Sequence, residues 1–213
     1  MNSSHRLVST LAVVAGLLAA NLGAQTAAGE PGLLGKRYAG ADFTYDQFTG
    51  SSIDQAMGTA AIVNLPVSRA FDVMVGYSYL DTSGASYGAI DKTLSASLVT
   101  HQATEYGTGY FAATLGHAWN NVGGLRPLHD NSLRWGLRAG YEIAIGSRTA
   151  VNLGVGYTEA FDRKDERAKV LRGSAELNHW FSREFAGVVS VGYKVIRDFP
   201  DAVTYSVGLR WGF

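Results

Sequence analysis

The stretch that most restricts what this chain can fold into is its last eleven residues, Val203 to Phe213. Val203, Tyr205, Val207, Leu209, Trp211 and Phe213 are apolar or aromatic, and Thr204, Ser206, Gly208, Arg210 and Gly212 between them are small or polar. A period of two puts one kind of residue on each face of an extended strand. Such a strand wants an apolar medium on one side and tolerates water on the other. Roughly 9–11 residues is also what a tilted strand needs to cross a bilayer. The aromatic at 213 suits a membrane boundary, where rings are favoured.

The same alternation recurs upstream. Extended segments are expected at about 37–47, 55–65, 71–80, 92–101, 108–119, 133–145, 151–161, 170–181 and 186–196, before the closing one. Phe71, Val73, Val75, Tyr77 and Tyr79 alternate with Asp72, Met74, Gly76, Ser78 and Leu80; Leu94, Ala96 and Leu98 share one face of the next segment. Pro occurs 4 times in the chain, and Pro66 falls where a turn should lie, since Pro cannot donate to a ladder. Longer connections are expected at 48–54, 81–91, 120–131, 162–169 and 197–202, and shorter ones at 66–69, 146–149 and 182–185. Ten strands result, with eight the alternative if the weaker segments two and four are misread. Aromatics cluster near strand ends on the apolar face, at Tyr45, Tyr79, Trp119, Trp135, Phe161, Phe181, Trp211 and Phe213, in the manner of interfacial girdles. The other face carries full charges in mid-strand, which the core of a soluble sandwich could not hold. The expected fold is all-β: a closed antiparallel up-and-down transmembrane β-barrel over 36–213.

The closing strand, through Tyr205, Val207, Leu209, Trp211 and Phe213, resembles that of bacterial outer-membrane β-barrels. From about Lys36 onward the chain is similar to the small-barrel superfamily that includes the membrane domain of outer-membrane protein A. The resemblance implies that these five residues are an assembly signal read by the barrel-assembly machinery. It also implies a porin-like envelope protein of Gram-negative type, with lipids of the outer membrane as its surroundings.

Residues 1–28 read differently. His5 and Arg6 precede an apolar run from Leu7 to Ala20, and small residues follow, which is the layout of a secretory signal peptide with cleavage near 24 or 28. Residues 29–35, with Pro31-Gly32, are expected to be a short linker. Short turns alternating with longer connections then place both mature termini in the periplasm. The 18 basic and 18 acidic residues leave no basic excess for nucleic acid, and the absence of Cys excludes disulfides and thiolate chemistry. A mean hydropathy of +0.01 decides nothing, because alternating faces average out.

On the polar parity lie Asp42, Asp46, Asp72, Arg134, Arg138, Glu142, Arg172, Glu176, Lys194 and Arg210, five acidic and five basic. A barrel of this size has a narrow lumen largely filled by side chains, so these charges are expected to form a pairing network. Asp42 or Asp46 is placed to meet Arg210 when the first and last strands join, and Arg138 and Glu142 share an interior with Glu176. A balanced set points to a polar plug more than to selective conduction. No catalytic constellation, metal site or cofactor is expected: His117 and His179 fall on the apolar parity, and His129-Asp130 sits in a loop. Gly107 to Ala112 matches G-x-G-x-x-A only formally, since it opens a strand and not a helix. The functional expectation is a structural or narrow-pore role. The alternatives are an outer-membrane enzyme acting on lipopolysaccharide or surface proteins, or an adhesin binding a surface ligand at its external loops.

Overall fold

A strand with one apolar face and unpaired edges is satisfied when the sheet closes on itself, because closure leaves no backbone group without a partner. The computed structural model shows this outcome. It describes residues 31–49, 53–84, 87–123, 128–161, 169–197 and 199–213. Ten strands follow one another: β1 (Tyr38–Phe48), β2 (Ile53–Pro66), β3 (Phe71–Gly84), β4 (Tyr87–Thr104), β5 (Gly107–Gly123), β6 (Leu128–Ala144), β7 (Thr149–Ala160), β8 (Val170–Trp180), β9 (Phe185–Ile196) and β10 (Ala202–Gly212). Each pairs antiparallel with its sequence neighbours, and β1 pairs with β10 from Tyr38↔Gly212 to Phe48↔Ala202, closing the barrel. Both ends of the sheet therefore lie at one rim, here the terminal rim, which also carries the turns at 67–70, 105–106, 145–148 and 181–184.

Even-numbered residues point into the lumen on every strand except β4, where odd ones do. The cause lies in two hairpins. Gly84↔Tyr87 and Thr104↔Gly107 join residues three positions apart, so each inverts parity, and the second restores what the first reversed. Val99 is buried while its neighbour Leu98 is 51% exposed on the outside.

Outside, Phe43, Leu98, Leu115, Val155, Leu171, Val189 and Val207 form part of a continuous apolar belt. A water-soluble monomer rarely exposes such a surface; lipid requires it. The belt is edged by rings whose polar tips meet polar residues at the far rim. Tyr45 donates to Gln55 (3.2 Å), Tyr157 to Glu159 (3.0 Å) and Tyr193 to Asp201 (2.7 Å). Phe181, Phe185, Trp211 and Phe213 edge the terminal rim, all exposed. Tyr205, Val207 and Leu209 of the closing strand also face outward, so all five residues of the expected assembly signal lie on the lipid face.

Two expected loops are corrected. Residues 81–91 and 120–131 are largely strand: β3, β4, β5 and β6 run for 14, 18, 17 and 17 residues, against 11 or 12 for β7 to β10. They raise a lip beyond the belt on one side of the far rim. There both faces meet water, so the backbone ladder continues after the period-two signal stops. The expected signal peptide and its cleavage positions, residues 29–30, and residues 162–168 of the charged loop lie outside the described residues.

Candidate functional site: the lumen

The lumen is built in two parts. At the terminal rim, residues 31–37, expected as a linker over 31–35 and as the start of the barrel at 36–37, fold back across the barrel mouth as a strap. Pro31, Gly32 and Leu33 are buried. The Lys36 amide donates to the Leu33 carbonyl (3.3 Å), and Gly35, at φ 72°, lets the chain turn there. Four side chains hold the strap's backbone. The Leu33 amide donates to Glu142 Oε2 (2.9 Å) and the Gly35 amide to Asp72 Oδ2 (2.9 Å). Asn64 Nδ2 donates to the Lys36 carbonyl (2.8 Å) and Trp180 Nε1 to the Pro31 carbonyl (2.9 Å). The Lys36 ammonium lies 4.4 Å from the centre of the Trp180 ring. A Cβ on Gly32 would fall 1.6 Å from Glu142 Oε1, so only glycine allows this approach.

Two apolar clusters complete the seal. Leu33 packs with Tyr38, Trp180, Ala186, Val188 and Ile62 on one wall. Leu34 packs against Val99, Tyr110, Ala112 and Met74 on the other. Burying Leu33 contributes about 1.5–3 kcal/mol, and the half-buried Leu34 adds a part of that.

Asp72 sits beneath the strap, 1% exposed, and also accepts from Asn64 (3.0 Å) and contacts His101 Nε2 (3.2 Å). The outward placement of Leu94, Ala96 and Leu98 puts odd residues of β4, and so His101, inside, and the odd apolar face of β2 puts Asn64 there as well. This His–Asp pair has the form of a dyad. Its other partners are strap and wall, which leaves a substrate no route to it in this conformation.

Beyond the strap the lumen is polar. Arg210 binds Asp42 through two bonds, Nη1 to Oδ1 (2.7 Å) and Nη2 to Oδ2 (3.1 Å). Asp46, 2% exposed, accepts from Lys194 Nζ (2.6 Å) and Thr204 Oγ1 (2.6 Å). These pairs clamp β1 to β10 and β9, so of the two acids placed to meet Arg210, Asp42 does. Higher up, Arg134 Nη2 reaches Asp91 Oδ2 (3.0 Å) across β5. Asp91 was expected in a loop and instead lies on the lumen face of β4. Arg138, Arg172 and Glu176 complete the set. Arg138 Nη2 donates to Ser174 Oγ (3.4 Å) and its guanidinium lies 5.6 Å from the Tyr110 ring centre. Glu142 lies on the same inward parity as Glu176, and its carboxylate serves the strap.

His117 and His179 face outward, as their parity implied, with rings against Trp119 and Phe181. His129 and Asp130 fall within β6, and the positions of their side chains lie outside the described residues. Among the described residues no group of three His, Cys, Asp or Glu is arranged to hold a metal.

No protein-family model matches this chain, and no curated protein does. Among solved structures, the translocator domain of autotransporter NalP from Neisseria meningitidis is similar over 99% of this chain and 98% of that one, at 10% identity and a TM-score of 0.52. Neisserial surface protein A is similar over 83% of this chain and 96% of that one, at 14% identity and a TM-score of 0.46. Ail, the attachment invasion locus protein of Yersinia pestis, covers 84% and 97%, at 12% identity and a TM-score of 0.42. At these identities the likeness is one of fold. The fold is that of small outer-membrane β-barrels, in line with the resemblance of the closing strand.

Proposed function

We propose that this chain is an integral protein of a bacterial outer membrane with a structural or narrow-pore role, kept shut at its terminal rim by the 31–37 strap. In this reading both mature termini and the strap face the periplasm. The belt contacts outer-membrane lipids, Tyr205, Val207, Leu209, Trp211 and Phe213 are read by the assembly machinery, and the far-rim connections meet any surface ligand. The observation that carries the reading is the seating of Leu33 and Leu34 on opposite walls of the lumen, with Glu142, Asp72, Asn64 and Trp180 bonded to the backbone between and around them. A passage filled by a strap and closed charge pairs conducts nothing until the strap moves.

The test is conductance in a planar bilayer of the refolded protein beside Leu33→Asp/Leu34→Asp, with closure of each barrel checked by its heat-dependent electrophoretic shift. Wild type should be silent and the double variant steadily conducting. Steady conduction by wild type would show that the strap does not seal. Silence of a folded double variant would leave a purely structural role and end the pore reading.

A further inference from the structure

The strap's effect on the lumen's charge balance points to a binding site elsewhere. Asp72 and Glu142 are engaged by uncharged partners of the strap, its amides. Asp42, Asp46 and Asp91 are held by Arg210, Lys194 and Arg134. That leaves two guanidiniums, Arg138 and Arg172, without a carboxylate bonded to either among the described residues. Of the lumen acids on the polar parity only Glu176, on the same strand as Arg172, remains, and among the described residues no ion pair joins it to either guanidinium.

The two arginines are neighbours by register. Arg138 of β6 pairs with Gly156 of β7, and Gly156 pairs with Arg172 of β8. They stand in one row, two strand spacings or about 10 Å apart at the backbone, with no side chain between them. Both lean over the adjacent row of small residues. A Cβ on Gly154 would meet Arg138 Nε at 3.0 Å and Nη2 at 3.2 Å, and a Cβ on Gly192 would meet Arg172 Nε at 3.3 Å. Between those two glycines in that row stands Ser174, whose hydroxyl Arg138 already reaches. Arg172 Nε is buried without a hydrogen-bond partner, a state that costs free energy unless something fills it. The Tyr110 hydroxyl also stands over Gly154, 2.7 Å from where its Cβ would lie. Two planar guanidinium forks with hydroxyls beside them match a group with several acceptor oxygens.

We propose that Arg138, Arg172 and Ser174 form an oxyanion-binding subsite in the lumen, taking a phosphate, sulfate or carboxylate group that enters from the far rim. The subsite does not depend on conduction: an anion can bind in a lumen closed at one end, so its test reads binding and not current.

The experiment titrates inorganic phosphate, sulfate and acetate, each at constant ionic strength against chloride, into the refolded full chain in detergent micelles. The readouts are heat of binding and the shift of the unfolding midpoint. Wild type should show saturable binding with a dissociation constant of about 1 mM or tighter, and the order of the three anions identifies the group preferred. Arg138→Gln and Arg172→Gln should each weaken binding about tenfold or more, while Arg148→Gln, in an exposed turn, should leave it unchanged. Gly156→Glu supplies a carboxylate in cis. Its Cβ has room, the nearest atoms being Leu137 O at 3.4 Å and Arg138 Cβ at 3.6 Å. This variant should unfold at a higher temperature than wild type without added anion and gain nothing from phosphate. Absence of saturable binding of any of the three anions to folded wild type would overturn the proposal. So would undiminished binding in folded Arg138→Gln or in Gly156→Glu. If the arginine variants do not fold, Gly156→Glu alone decides.

Discussion

The two parts of the lumen solve the same problem in opposite ways. Each contains polar groups removed from bulk water inside a narrow tube. Under the strap they are buried, and the strap's backbone is bonded by side chains far away in the chain: Trp180 to Pro31, Glu142 to Leu33, Asp72 to Gly35. In the arginine row Arg138 is exposed although it points inward, and Arg172 Nε is buried without a partner. Asp72 and Trp180 are 1% and 6% exposed. A buried acid that accepts from fixed amides and a tryptophan in an apolar cluster hold a shape; a guanidinium standing in accessible space with a weak hydroxyl contact does not. The difference teaches that equal numbers of charges in a lumen do not make a uniform network. The acids used by a seal are missing elsewhere.

The comparison breaks most readily at the strap. Trp180→Ala removes a ring packed on Leu33 and Tyr38 together with its bond to Pro31, and should cost about 3–5 kcal/mol in denaturant unfolding from micelles. It should also expose residues 31–37 to protease while the strands stay protected. Next comes the seam. Arg210→Ala leaves Asp42 in the lumen without its two-bond partner and should cost about 3 kcal/mol by the same measurement, whereas replacing both residues by leucine should recover most of that loss. Gly35→Ala asks less of the structure. It places a side chain at φ 72°, with its Cβ 3.4 Å from His101 Cε1, and should cost about 1 kcal/mol, seen as a small fall in the unfolding midpoint. Arg138→Gln should be the mildest, changing stability by less than about 0.5 kcal/mol without added anion, because the group it removes bonds little. A large loss there would erase the contrast between the two regions.

Much of this architecture was legible because lipid imposes a rule on alternate residues. Phe71 to Leu80 and Val203 to Phe213 declare their faces one residue at a time, and a pairing of Arg210 with either Asp42 or Asp46 follows once closure is assumed. The rule ends where lipid ends, so the upper parts of β3 to β6, with polar and glycine-rich sequences such as Asp81-Thr-Ser-Gly84, looked like loops. Asp91 was lost to the lumen set for that reason. The strap was hidden for another. Leu33 and Leu34 have no periodic companions nearby, and the residues packed with them range from Tyr38 to Val188. No local pattern can announce a contact whose other half is spread around the whole sheet.

That spread gives the strap a place in time. Its side-chain bonds span 28, 37, 109 and 149 residues, to β2, β3, β6 and β8. Lengthening a loop raises its entropic cost only slowly, so distance along the chain is not the obstacle; the simultaneous presence of the partners is. Before β1 meets β10, an open sheet holds Asp72 and Trp180 on surfaces that no seven-residue strap can bridge at once. Seating of the strap is therefore expected to follow closure of the sheet, and in a pulse-proteolysis time course protection of residues 31–37 should appear after that of the strands.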